Sequence, residues 1–139
     1  MSAVPHVVGV AASPARCREP EAPPDVELTL PADRRAAFRA RGEIHRLLRD
    51  VHPRRRAVAA RLVGALLETG LTTTPQPTEL RLWRSPSLLA VQVRSTTRLR
   101  VTGESRLLLD RLADRWELDR AGHTMRFEVR TRMSSQSTA

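Results

Sequence analysis

Apolar residues in this chain recur at two different spacings, and the order in which those spacings alternate leaves few folds open. Val26, Leu28 and Leu30 alternate with Glu27 and Thr29, the period of a strand with one buried face. Pro31 ends that strand and Asp33 is a natural helix start. Ala37, Ala40, Ile44, Leu47, Leu48 and Val51 then follow at helical spacing, with Arg35, Arg39, Arg46 and Arg49 on the opposite side. Gly42 falls within the basic side and costs about 1 kcal/mol relative to Ala. Pro53 breaks this helix and opens a second, whose stripe is Ala59, Leu62, Val63, Leu66 and Leu67 and whose stop is Gly70.

After a loop through Pro77 the period returns to two. Leu80 and Leu82 share a face of one strand, and Leu89, Val91 and Val93 share a face of the next, across a Ser85-Pro86-Ser87 turn. Ser95 to Thr102 carries little core signal. A third helix begins near Gly103 to Ser105, with Leu108, Leu109 and Leu112 inward. Two closing strands place Trp116 and Leu118, then Met125, Phe127 and Val129, toward the core across an Ala121-Gly122-His123 turn. The order strand, helix, helix, strand, strand, helix, strand, strand is met most economically by one layer of helices over one sheet. The expected class is therefore α+β, a two-layer α/β sandwich with a mixed, mostly antiparallel sheet covered on one face by three helices.

The 139 residues suit one domain, expected over 25–131. The Pro-rich segment 1–24 and the tail 132–139 read as disordered, because neither can bury enough apolar surface to offset its ordering entropy. Cys17, the only cysteine, falls in the first of these, so no intrachain disulfide can form. No stretch approaches the ~20 apolar residues of a membrane span. Val7 to Ala12 is apolar, but it is short and lacks a preceding basic region, so a cytoplasmic protein is expected.

The net charge of +9 raises the question of a nucleic-acid partner. All 24 basic residues are arginine, with no Lys, Asn or Tyr in the chain, and they are spread along it. That is the signature of a GC-rich coding bias, and aromatic residues able to stack on bases are few. A nucleic-acid binder is the least favoured of three readings.

The segments LTLPAD (Leu28 to Asp33), LLLDRLADRWEL (Leu107 to Leu118) and GHTMRFEV (Gly122 to Val129), read with this element order, resemble the GHKL ATPase superfamily with its Bergerat fold. The likeness is to the single-domain anti-sigma-factor serine kinases and ATP-binding regulators common in actinobacteria. The resemblance implies a base and a magnesium-binding Asn on the second helix. Laid on LVGALLETG, those positions are Ala65 and Thr69. Ala cannot accept a proton, and a neutral hydroxyl is a poor ligand for a hard cation. Glu68 nearby reads as an exposed helix carboxylate. The family's adenine-reading Asp and following Gly fall on Ser95 and Thr97, and its phosphate-binding glycines on Gly103 and Ser105, with Glu104 between them where it would repel phosphate.

With all three motifs altered, the resemblance implies a pseudokinase with no catalytic residue, no metal and no cofactor, unless the degenerate pocket (Thr69, Ser95, Thr97, Gly103, Ser105) retains Mg-ATP. Its first helix would place Arg35, Arg39, Arg46 and Arg49 against a protein partner of sigma-factor or anti-sigma-antagonist type, with a homodimer as a further option. An active serine/threonine kinase with an atypical pocket is the alternative.

Overall fold

The computed structural model describes residues 17–69, 71 and 76–132. Most of the expected N-terminal segment, the Gly70 stop, the loop 72–75 and the tail from 133 onward lie outside the described residues.

Strand β1 (Val26–Leu30) leads into α1 (Arg35–Leu47) and α2 (Pro53–Glu68). The hairpin of β2 (Thr78–Ser85) and β3 (Leu88–Arg94) follows, then α3 (Gly103–Leu112), β4 (Arg115–Leu118) and β5 (Thr124–Arg130). The helix ends are set locally. Asp33 Oδ1 accepts the Arg35 N–H at 2.9 Å, and His52 Nδ1 accepts the Arg54 N–H at 3.1 Å ahead of Pro53. Gly42 does not break α1, because buried Ala36, Ala37, Ala40 and Ile44 hold the helix down on either side of it.

The five strands run in the order β1-β2-β3-β5-β4, and every neighbouring pair is antiparallel. The expected mixed sheet is thereby corrected. The α1–α2 connection returns the chain to the strand beside β1 in the opposite sense, so no parallel crossover is needed. Two apolar rows cross all five strands: Val26, Leu82, Val91, Phe127, Trp116, and Leu28, Leu80, Val93, Met125, Leu118. Ile44, Leu48, Leu62, Leu66 and Leu109 from the three helices join them in one core. Fully burying each such side chain stabilises the fold by roughly 1.5–3 kcal/mol. Arg84 on β2 clamps the end of α1, bonding the Leu47 carbonyl at 3.0 Å and both carboxylate oxygens of Asp50.

Two segments depart from expectation. Residues 17–24, expected to be disordered, lie across the sheet face away from the helices. Cys17 is 3% exposed, and the Trp83 indole donates to the Ala22 carbonyl at 2.8 Å. The segment has no core of its own, but the sheet supplies a surface for it, a long-range effect that local composition does not encode. Leu99, in the stretch expected to lack core signal, is 6% exposed and belongs to the core cluster. Among the described residues no helix is long and apolar enough to cross a membrane.

Candidate functional site

The C-terminal end of α2 meets the N-terminal end of α3, and a line of hydroxyls joins them. Thr102 caps α3, its Oγ1 accepting the Ser105 N–H at 3.1 Å. The same Oγ1 donates to Ser105 Oγ at 3.2 Å. Ser105 Oγ lies 3.3 Å from Thr69 Oγ1, and Thr69 Oγ1 donates to the Leu66 carbonyl at 2.8 Å. The donors balance in only one direction. Thr69 gives its proton to Leu66, so Ser105 donates to Thr69 and Thr102 to Ser105. The line therefore ties an orphan carbonyl of one helix to an orphan N–H of the next. Ser105 is 0% exposed.

Two of the expected pocket positions, Thr69 and Ser105, are thus brought into contact. Ala65 sits one helical turn before Thr69 and is half-buried. A magnesium ion requires oxygen ligands with free lone pairs. Here Ala65 offers none, and Thr69 offers only a neutral hydroxyl, already donor to Leu66 and acceptor from Ser105, with one lone pair left. The residues present do not fit the metal. Among the described residues no group of three acidic, His or Cys side chains is placed to hold one either. Glu68, next to Thr69 in the chain, pairs with Arg41 of α1 at 3.4 Å. The Arg41 side chain reaches it across Gly64, where a Cβ would lie 2.5 Å from Nη1.

Ser95 and Thr97 form a second unit. Ser95 Oγ accepts the Thr97 N–H at 3.2 Å and lies 3.3 Å from Thr97 Oγ1. Its backbone is held by the β4–β5 turn, with the Ser95 N–H bonded to the His123 carbonyl at 3.0 Å and His123 Nδ1 3.3 Å from the Ser95 carbonyl. That turn is fastened by Asp119, whose Oδ1 accepts the Gly122, His123 and Thr124 N–H groups at 2.8, 2.9 and 3.2 Å. Burial pushes the Asp119 carboxyl up, but these three bonds outweigh it and leave the group below the usual carboxylate range. From Thr97 the chain runs down through Leu99, whose N–H bonds the Gly122 carbonyl at 2.7 Å, to the Thr102 cap. Gly103 opens α3 with free space where a Cβ would be, and Glu104 occupies the first turn at the positive end of the helix.

Of the four arginines expected to meet a partner, Arg35, Arg39 and Arg46 lie on the exposed side of α1, and Arg49, also exposed, lies in the turn beyond its end at Leu47. Arg35 is paired with Asp33 at 2.9 Å and Arg46 with Glu43 at 3.0 Å. Arg39 and Arg49 make no ion pair among the described residues. Arg35 and Arg39 line an open groove of about 410 Å³ with Leu30, Pro31 and Pro77. Arg46 and Arg49 line another of about 740 Å³ with Glu43, Asp50 and Arg84. The residue that sequence reasoning passed over is Phe38, 74% exposed between Arg35 and Arg39. The signal was present: Phe38 falls outside the Ala37, Ala40, Ile44 stripe and so had to face solvent.

Neither a scan against protein-family models nor a search of curated proteins finds a match to this chain.

Proposed function

We propose that this protein is a regulatory binding module on a degenerate anti-sigma-kinase-like scaffold of Bergerat type, acting by protein–protein contact in transcriptional regulation and not by phosphotransfer. The reading is carried by one observation: the place the resemblance assigns to metal and phosphate is closed by the protein's own Thr69–Ser105–Thr102 hydroxyl line. A Mg-triphosphate seated there would meet a methyl and neutral hydroxyls already tied to one another, with Glu68 held by Arg41 and the Glu104 carboxylate repelling phosphate. The first helix supports the binding half of the reading. Arg35, Phe38, Arg39, Gly42, His45 and Arg46 form an exposed face, extended by Arg49 in the turn after the helix, basic and with an aromatic anchor, suited to an acidic partner of sigma-factor or anti-sigma-antagonist type.

Two measurements test it. Calorimetry with Mg-ATP is expected to give no saturable heat, and a Mg-dependent dissociation constant below ~100 μM would revive the kinase alternative. Co-purification from the host is expected to yield a sigma factor or its antagonist with the wild type and to lose it with Phe38→Ala plus Arg39→Glu. Equal capture by the wild type and that variant would remove α1 from the reading.

A further inference from the structure

Of the four glycines among the described residues, three have a reason in the fold. Gly64 makes room for the Arg41 side chain, Gly122 takes a φ of +82°, and Gly103 stands at the first position of α3, outside the helix interior. Gly42 is different. It lies exposed in the interior of α1, without a positive φ, and a Cβ there would meet nothing within 4 Å. No neighbour in the chain needs this glycine, yet it weakens the helix, since only proline is poorer in a helix interior. What it leaves is a notch in a bulky ridge. Arg35, Arg39, Gly42 and Arg46 fall on one line of the helix surface, at spacings of four, three and four, and Phe38 and His45 flank Gly42 a turn away on either side. The charge around the notch is unbalanced. Asp33 is taken by Arg35, Glu43 by Arg46 and Asp50 by Arg84, so each carboxylate of residues 33–50 already has its cation. Arg34, Arg39 and Arg49 are exposed and make no ion pair among the described residues.

We propose that Gly42 is the crossing point at which a helix of an acidic partner protein packs on α1, seating one large apolar side chain in the notch between Phe38 and His45. The inference rests on the reading of α1 as the binding face and adds the form of what binds there. Two helices approach closest where one of them is smallest, with axes about 8 Å apart, and a side chain of one then seats among four of the other. Gly42 is the one residue of the exposed α1 ridge small enough to receive such a side chain. Carboxylates on the same partner helix then reach the unpaired guanidinium groups of Arg39 and Arg49. A second copy of this chain is the wrong occupant, because it would set one basic ridge against another.

Two fluorescent peptides of about 20 residues serve as probes, long enough for the first to be helical alone. Both are rich in Ala with one central Leu flanked by Glu. The second carries Pro on either side of the Leu, so it has the same charge and no continuous helix. With the full-length protein, the helical peptide is expected to bind at least about tenfold more tightly than the Pro peptide. Gly42→Gln is expected to raise the urea midpoint, because glutamine favours a helix, and at the same time to weaken the helical peptide about tenfold by filling the notch. Gly42→Ala is expected to show the same two signs with a smaller loss of binding. Opposite signs in stability and binding are what a purely internal role for Gly42 would not produce. The proposal is overturned if either variant lowers the midpoint, since the fold itself would then require the glycine. It is overturned if both variants keep helical-peptide affinity within about twofold of the wild type, or if the two peptides bind equally well, since the face would then read charge alone. In those cases Arg39→Glu decides the underlying reading: lost peptide binding keeps α1 as the binding face, and unchanged binding removes it. Failure of the wild type to bind either peptide overturns the proposal and that reading together. A single-stranded oligonucleotide that displaces the helical peptide and binds Gly42→Gln as well as the wild type would assign the face to nucleic acid and equally overturn the proposal.

Discussion

Replacing Thr102 with Ala probes the hydroxyl line at its weakest link. The substitution removes the N-cap of α3, a loss of typically about 1 kcal/mol. It also strips the Ser105 N–H of its acceptor, and because Ser105 is 0% exposed, water cannot take over. A buried donor left unbonded costs about 1–3 kcal/mol. The two figures describe overlapping losses, so Thr102→Ala is expected to destabilise the domain by about 1–2 kcal/mol. Ser105→Ala is different in kind. Thr102 Oγ1 keeps the residue-105 N–H and Thr69 Oγ1 keeps the Leu66 carbonyl, so only the two long contacts at 3.2 and 3.3 Å disappear. Its cost is expected to be at most about 1 kcal/mol. Urea unfolding of the two variants, with an unchanged m-value, reads these differences directly. In the heat, each kcal/mol corresponds to a Tm shift of roughly 4–8 °C for a domain of this size. If Thr102→Ala matches the wild type within about 0.3 kcal/mol, or if Ser105→Ala is the more damaging of the two, the direction assigned to the hydrogen bonds is wrong.

Gly122 sits at φ +82°, with Arg98 Nε only 3.1 Å from where a Cβ would be, so Gly122→Ala is expected to cost about 1–2 kcal/mol by chemical unfolding. Phe127, fully buried where both layers meet, is expected to lose about 3–5 kcal/mol as Ala. The lowered Asp119 carboxyl adds stability that is fully present above the ordinary carboxylate range and is lost as pH falls through its lower folded value. An Asp119→Asn variant is therefore expected to narrow its stability gap to the wild type when unfolding is repeated in strongly acidic buffer.

Element order, the strand faces and the helix stripes were legible in the residues alone, because each depends on a period of two or 3.6 among near neighbours. Ala37, Ile44, Leu62, Leu82 and Phe127 announce their burial in this way. The start of α1 after Asp33 and the start of α2 at Pro53 were legible for the same local reason. Tertiary structure alone decided the rest. It brought Thr69 to Ser105 across 36 positions and laid Cys17 and Glu19 over strands that begin dozens of residues later. It also turned Leu99 inward from a stretch with no periodicity. These are pairings between distant segments. They are set by how a finished sheet and helix layer present their surfaces, and no local pattern in the chain encodes that.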